Sequence, residues 1–187
     1  MPEYYMFAYD ISDSKRRNKL RRLLSPWRID GQLSVHELLI GQVEYKRLRL
    51  SIESNVNALE DSLLSCHLST RGLAAVYQPV AKFTNNMLLN QHISYAMPVK
   101  IQDGVFIISY NIADTLRLRK VYRLISKYAI QLQRSVYLYQ GAGCRLQKLM
   151  SEVISIAKQG EDDLRLYSLS ERGDLQFIAE PQAVCIF

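Results

Sequence analysis

Two hydrophobic periods alternate along the chain, and each predicts a different kind of element. Residues 4–9 are aromatic or apolar and are followed by Asp10, which predicts a short buried strand ending in a polar residue. Asp13, or Ser12, can then cap a helix that ends near Ser25, because a proline follows. The apolar positions of this helix have helical spacing and are Leu20, Leu23, Leu24 and Trp27.

The same patterns continue through the first half of the chain. Residues 29–40 contain a glycine and then an alternation, which predicts a second strand that bends or bulges at its start. Residues 42–59 have the spacing of a second helix. Residues 63–68 and 73–80 predict two more strands, joined by a turn at 69–72.

The second half follows the same plan. Its predicted elements are strands at 105–110, 130–139, 164–169 and 175–179, a helix from the Asp114 cap to residue 128, a helix at 146–157 and a turn at 173–174. The apolar residues 183–187 either complete the domain's own sheet or add a strand to a partner. Each half therefore has the order βαββαβ, or βαβαβ with an extra strand, and the predicted class is α+β.

The two halves are copies of one another. An offset of 111 − 10 = 101 residues aligns them without a gap. Residues of the first half that meet an identical partner include Tyr9, Ile11, Asp13, Arg16, Lys19, Arg22, Leu23, Ser25, Ile29, Gln32, Ser34 and Val35, and later Glu60, Asp61, Leu63, Leu68, Ser69, Arg71 and Gly72. We expect a first repeat at residues 1–80, a linker at 81–104 and a second repeat at 105–187.

Composition adds a basic surface and excludes several classes of site. The net charge is +6, divided as +3 in each half, which suits a symmetric basic surface better than a basic tail. The three cysteines are far apart and suggest neither disulfides nor a metal knuckle. No apolar run approaches the roughly 20 residues that span a bilayer. We therefore expect a soluble cytoplasmic protein that has no contact with a membrane.

Several segments resemble one family of small proteins. These are the strand, the Asp10-Ile11-Ser12-Asp13 turn, the basic helix ending in Leu23-Leu24, the Gln-x-Ser-Val segments at 32–35 and 133–136, and the strand at 163–169. Together they resemble the CRISPR-associated adaptation protein of the Cas-two (Cas2) family. The resemblance covers nearly everything except the linker and the last few residues.

This resemblance implies a fold, a role and a set of partners. Each repeat would have a ferredoxin-like fold, and the chain would form a pseudo-dimer with packed antiparallel sheets, since family members are normally homodimers. Such proteins scaffold spacer acquisition, lying along duplex DNA (the prespacer and the CRISPR repeat) between dimers of the Cas-one (Cas1) integrase. Some members have also been described as metal-dependent nucleases.

Asp10 is the candidate catalytic and metal-binding residue that the resemblance implies. In the family this aspartate meets its twin across the dimer axis and binds one divalent cation, here Mg²⁺. The twin in this chain is Asn111, an amide that removes one negative charge from a shared metal site and is a poorer ligand. Asp10 can equally accept backbone hydrogen bonds in the following turn. Asp13 and Asp114 are explained by helix capping.

The basic helices are the candidate nucleic-acid interface. The cations are Lys15, Arg16, Arg17, Lys19, Arg21 and Arg22 in the first repeat and Arg117, Arg119, Lys120 and Arg123 in the second. A charge run is usually a solvated helix face, but almost no acidic residue follows Asp13, and phosphates would relieve the repulsion. The histidines at 36, 67 and 92 have no metal spacing, and we assign them no chemistry.

Two functions remain open at this point. The first is a non-catalytic scaffold of CRISPR adaptation that binds duplex DNA and bridges Cas1 dimers. The second is a metal-dependent endonuclease, acting on DNA or RNA, or a related toxin-like ribonuclease of the same fold. A third hypothesis is a ferredoxin-like interaction module that binds no nucleic acid. The basic helices argue against it.

Overall fold

The computed structural model describes residues 1–77, 101–169 and 175–179. Most of the predicted linker, the end of the predicted strand at 73–80, the turn at 173–174 and the apolar residues 183–187 lie outside this part. None of the described helices has the length and apolar character needed to cross a bilayer.

The first repeat has the βαββαβ order. Its elements are β1 (Pro2–Asp10), α1 (Ser14–Leu24), a short 3-10 helix (Ser25–Trp27), β2 (Arg28–Gly31), β3 (Val35–Gly41), α2 (Gln42–Glu53) and β4 (Ser62–Tyr77). The strands pair antiparallel in the order β2-β3-β1-β4, which is the ferredoxin-like order. β1 is therefore central, and its C-terminal residue Asp10 lies opposite Ser62 at the start of β4.

The second repeat repeats this order. Its elements are β5 (Gly104–Asn111), α3 (Thr115–Ile125), β6 (Ile130–Gln133), β7 (Val136–Gly141), α4 (Gly143–Ile156) and β8 (Asp163–Leu169), followed by β9 (Leu175–Ala179). The order β6-β7-β5-β8 matches that of the first repeat strand for strand. The predicted α+β class with two βαββαβ repeats is confirmed.

The compact units do not coincide with the repeats. Of the described residues, 1–70 and 175–179 form one unit, and 71–77 and 101–169 form the other. Strand β9 comes from the second repeat but pairs antiparallel with β4 in the first unit, with Leu64 opposite Phe177 and Cys66 opposite Leu175. Ala179 of β9 is buried in the core of the first unit. The repeat boundaries at 1–80 and 105–187 describe the duplicated sequence and stay a prediction.

Each unit has its own apolar core beneath its helices. In the first unit Phe7 and Leu38 of the sheet pack with Leu24 of α1 and Ile52 of α2. In the second unit the same places are taken by Ile108, Tyr139, Ile125 and Val153. Burial of these side chains is the main favourable contribution to folding and fixes both helices on the sheet.

Several sequence-based predictions need correction. Residues 29–40 and 130–139 are not single strands, because the chain reverses within each of them and forms the hairpins β2–β3 and β6–β7. The first strand of each hairpin also carries a bulge, between Arg28 and Asp30 and between Gln131 and Gln133. Residues 69–72 continue β4 and do not turn, since the surrounding structure overrides local propensity in strands. The helices α2 and α3 end at Glu53 and Ile125, earlier than the apolar spacing predicts.

Candidate nucleic-acid interface

Both basic helices begin at an aspartate cap. The Asp13 carboxylate accepts a hydrogen bond from the Arg16 backbone N–H at 2.7 Å, and this bond lowers the pKa of Asp13. Asp114 accepts in the same way from the Arg117 N–H at 2.8 Å. Helix capping, which the sequence predicts for both residues, is therefore confirmed.

One arginine of each helix is held by acidic residues that precede the fourth strand of its repeat. The Arg16 Nε lies 2.8 Å from Asp61 and its Nη2 lies 2.6 Å from Glu60. Arg117 makes the equivalent contacts, at 2.8 Å each, with Asp162 and Glu161. The expectation that only an anion could relieve the repulsion along these helices is therefore wrong for Arg16 and Arg117. Both guanidiniums tie a helix to the loop that precedes β4 or β8.

The other predicted cations differ in exposure. Six of them are exposed, namely Lys15, Lys19 and Arg22 of α1 and Arg119, Lys120 and Arg123 of α3, whereas Arg17 and Arg21 are half-buried. Two exposed pairs are identical in the repeats, Lys19 with Lys120 and Arg22 with Arg123, and they lie three residues apart on one helix face. The structure thus presents the same two cations on the same face of both helices.

The strand-end site differs between the repeats. Asp10 is exposed and lies opposite Ser62, whereas Asn111 lies opposite Asp163. Asp163 is 3% exposed and accepts hydrogen bonds from the buried Arg165 at 3.1 and 3.3 Å. A carboxylate is present at this sheet end in both repeats, but on different strands. Sequence analysis missed the pair of Asp163 and Arg165. The signal for it is that these two residues stand where the first repeat has Ser62 and Leu64.

These residues fit a divalent cation poorly. Within either unit the strand end supplies one carboxylate, and the carboxylate of the second unit is already bound to an arginine. Across residues 1–77, 101–169 and 175–179 no three His, Cys, Asp or Glu side chains converge as metal ligands would. Asp10 as a metal ligand stays a prediction.

Sequence comparison with known families decides the identity of the chain. The model of the family described as CRISPR associated protein Cas2 matches it twice, at residues 1–75 and 105–176. The chain belongs to the Cas2 family. Because each match covers one repeat, this Cas2 protein is a tandem form with two copies of the family domain in one chain.

Named relatives agree with this assignment. The chain is 40% identical to "CRISPR-associated endoribonuclease Cas2 1" of Nitrosomonas europaea, over 41% of this chain and 72% of the relative. It is 37% identical to "CRISPR-associated endoribonuclease Cas2" of Allochromatium vinosum, over 32% of this chain and 63% of that protein, which is less than two thirds of its length. A solved hypothetical protein of Thermus thermophilus matches 37% of this chain and 84% of its own, with 30% identity and a TM-score of 0.35.

A buried histidine lies beside the strand end of the first Cas2 repeat. His36 is 2% exposed, and its Nε2 lies 3.1 Å from the hydroxyl of Tyr9. Burial, together with the charges of Arg28 and Arg21, lowers the pKa of His36 to about 4. The second repeat has a tyrosine at this position, Tyr137.

We expect His36 to make the stability of this Cas2 protein depend on pH. In the unfolded chain the imidazole takes up a proton below about pH 6.5, whereas the folded chain resists protonation down to about pH 4. The stability is therefore retained above pH 6.5, falls by up to about 3 kcal/mol as the pH drops from 6.5 to 4, and levels off below that. Urea unfolding at a series of pH values measures this change.

The matched control is His36→Tyr, which installs the residue of the second repeat. In this variant the free energy of unfolding should no longer show the fall between pH 6.5 and 4 that His36 causes. Any change with pH that comes from the carboxylates should remain. Equal pH profiles for the variant and the wild type would contradict the assignment to His36.

Proposed function

We propose that this Cas2 family member is a scaffold of CRISPR adaptation that binds duplex DNA through α1 and α3 and bridges Cas1 integrase dimers. The observation that carries the proposal is the repeated pair of exposed cations, Lys19 with Arg22 and Lys120 with Arg123. Within the described part of the chain none of these four side chains has a carboxylate partner, in contrast to Arg16 and Arg117.

The chemistry of the two helices suits this role. Lysine and arginine contacts to phosphates hold a duplex without reading its sequence, and a scaffold for spacers must accept any sequence. The ion pairs of Arg16 and Arg117 support the proposal in a different way, because they anchor each helix to the loop before β4 or β8. The exposed cations are thereby presented on a fixed surface, which lowers the entropy lost on binding.

A metal-dependent endonuclease is the second candidate function. It is favoured by the names of the relatives, which are called endoribonucleases, and by the exposed carboxylate of Asp10 at the end of β1. Mg²⁺ would be the cofactor in this case. The poor fit of the strand-end residues to a cation favours the scaffold.

The test of DNA binding is a salt series with a labelled duplex. The variant K19A/R22A/K120A/R123A removes the repeated cations, and K46A/R47A/R145A/K148A removes the same charge from exposed positions of α2 and α4. We expect the first variant to bind the duplex about ten- to a hundredfold more weakly than the wild type. The slope of its log K against log salt should be smaller by about 2 to 4, since each phosphate contact contributes about 0.9. Equal losses in both variants would mean that net charge, and not these helices, determines binding.

The endonuclease candidate is tested with Asp10→Asn, which makes both repeats alike at the strand end. The scaffold proposal expects no cleavage of duplex DNA or single-stranded RNA by the wild type with or without Mg²⁺. Metal-dependent cleavage by the wild type that is lost in Asp10→Asn would replace the scaffold with an enzyme. Co-elution with a Cas1 integrase in size-exclusion chromatography tests the partner.

A further inference from the structure

A carboxylate, an imidazole and a phenol meet at the end of the β1–β4 ladder that is remote from Asp10. Glu3 and Tyr5 belong to β1, and His67 belongs to β4. The ladder runs from the pair of Asp10 with Ser62 to the pair of Tyr5 with His67. We call Glu3, Tyr5 and His67 the ladder-end cluster. Sequence spacing gives no reason to link these residues, because they meet only through the pairing of two distant strands.

The Glu3 carboxylate is the centre of the ladder-end cluster. Its Oε2 lies 3.4 Å from the His67 Nε2 and accepts a hydrogen bond from the Tyr5 hydroxyl at 3.1 Å. Its Oε1 accepts a hydrogen bond at 3.1 Å from the side chain of Gln42, the first residue of α2. The rings of Tyr5 and His67 pack edge to face, with centroids 5.1 Å apart. The carboxylate and the imidazole are therefore both held in place by neighbouring side chains.

The separation of Glu3 Oε2 and His67 Nε2 suits two ligands of one metal ion. At 3.4 Å it exceeds the usual N–H···O distance of about 2.7–3.2 Å. Zinc bonds to imidazole nitrogen and carboxylate oxygen are about 2.0–2.2 Å long, and the ligand atoms of a tetrahedral site are then about 3.3–3.6 Å apart. The two side chains therefore already have the spacing that such an ion requires.

Both ligands can be reached from solvent. The His67 side chain is 20% exposed and the Glu3 side chain is 30% exposed, whereas the other described histidine, His36, is 2% exposed. Water can complete the coordination of an ion bound at this place. An imidazole beside a carboxylate favours Zn²⁺ and similar transition metals, whereas Mg²⁺ and Ca²⁺ prefer oxygen ligands alone. The ladder-end cluster therefore differs in chemistry from the carboxylate of Asp10.

The second unit has no carboxylate, phenol, amide or imidazole at the aligned positions. With the offset of 101 residues, the places of Glu3, Tyr5, Gln42 and His67 are taken by Gly104, Phe106, Gly143 and Ser168. Phe106 is buried in the apolar core of its unit. The same fold therefore forms without these polar groups, and packing alone does not account for them in the first unit.

We propose that Glu3 and His67 bind one transition-metal ion of the Zn²⁺ type, with Gln42 and Tyr5 orienting the carboxylate. The proposal depends neither on DNA binding nor on Asp10. An ion bound only by the folded state joins the start of β1 to β4, and it stabilises the first unit increasingly as the ion concentration rises. The second unit has no counterpart of this site at the aligned positions.

The binding experiment uses the full chain and Zn²⁺ as the probe. Cys144 and Cys185 are replaced by serine in every sample, including the parent, because thiolates also bind Zn²⁺. The ligand variants are Glu3→Gln, which removes the carboxylate, and His67→Ser, which installs the residue of the second unit. Glu53→Gln is the matched control, because it removes the same charge from an exposed position of α2.

Calorimetric titration should detect one Zn²⁺ per chain in the parent and in Glu53→Gln. Each ligand variant should bind Zn²⁺ at least about tenfold more weakly, since even the loss of an outer partner of a ligand typically costs about 10- to 100-fold in affinity. Tyr5→Phe removes the hydroxyl and keeps the ring, so its affinity should lie between those of the parent and the ligand variants.

NMR spectra and thermal unfolding locate the ion. In the parent, Zn²⁺ should shift the imidazole signals of His67 and leave those of the buried His36 unchanged. Zn²⁺ should also raise the midpoint of thermal unfolding in Glu53→Gln and not in His67→Ser. His67→Gln takes the place of the serine variant if that variant folds poorly. Equal Zn²⁺ affinities in the ligand variants and the control, or His67 signals that do not respond in the parent, overturn the site.

Discussion

Replacing Asp162 by alanine is expected to lower the free energy of unfolding by about 3–5 kcal/mol. The carboxylate is completely buried and accepts from four donor groups: Arg117 Nε at 2.8 Å and Nη2 at 3.1 Å, the Ala113 N–H at 2.9 Å and the Lys158 N–H at 2.8 Å. Alanine would leave these donors unsatisfied and the guanidinium without its buried partner. Urea unfolding followed by circular dichroism measures the change.

The stabilisation by Asp162 depends on pH, because folding lowers the pKa of its carboxyl group. Burial raises this pKa, but the hydrogen bonds from Arg117 and from the backbone N–H groups of Lys158 and Ala113 outweigh burial and lower it overall. The stabilisation is therefore present above about pH 4, the unfolded value, and is lost as the pH falls through the lower folded value.

Glu161 provides the matched control for Asp162. It binds the same arginine, but its side chain is 43% exposed. Solvent screens such a pair, so Glu161→Gln should lower the stability far less than Asp162→Ala does. Similar losses for Asp162→Ala and Glu161→Gln would show that the buried network does not hold α3 to the loop before β8.

Replacing Ala179 by aspartate is expected to destabilise the first unit by about 3–5 kcal/mol, although the residue belongs to the second repeat. Ala179 is 4% exposed among the apolar side chains of that unit, where a carboxylate would have no partner. Trp27 is the only tryptophan of the chain and packs against the same core. Urea unfolding monitored by its fluorescence should therefore show an earlier transition.

Gln176→Ala is the control on the same strand. Gln176 accepts a hydrogen bond from Arg49 of α2, and its loss should cost only about 1 kcal/mol. An unchanged Trp27 transition in Ala179→Asp, with an earlier transition by circular dichroism, would show that β9 completes a different sheet.

Local patterns predicted the parts of this fold that depend on neighbouring residues. The caps Asp13 and Asp114 and the start of each basic helix follow from the residues around them, and the structure shows both. The duplication also fixed the repeat order, because each half supports the interpretation of the other. The hairpins at 28–41 and 130–141 were missed because the apolar alternation of each segment does not show where the chain reverses.

Contacts between distant residues were harder to predict. Arg16 meets Asp61 across 45 positions, and no spacing rule covers that distance. A signal was nevertheless present, because Arg16, Glu60 and Asp61 are all identical in the second repeat. Residues retained together in both copies point to one shared structural role, and this inference was available from the sequence.

The pairing of β9, from the second repeat, with β4 of the first repeat could not be predicted in this way. Its alternation is compatible with an antiparallel strand in the sheet of either repeat. The Asp163–Arg165 pair is likewise a departure from the repeat, so the duplication gave no support for it. The candidate site was therefore predictable where the copies agree and unpredictable where they diverged.

The pairing of β9 with β4 has a consequence for synthesis on the ribosome. Translation produces the first repeat early, but the strand that completes its sheet emerges only after β5 to β8 of the second repeat. Until then β4 presents an open edge of backbone N–H and C=O groups, which can pair with another chain. The first sheet of a nascent chain therefore stays incomplete until residues 175–179 emerge, and a chain truncated before Leu175 should be prone to aggregation.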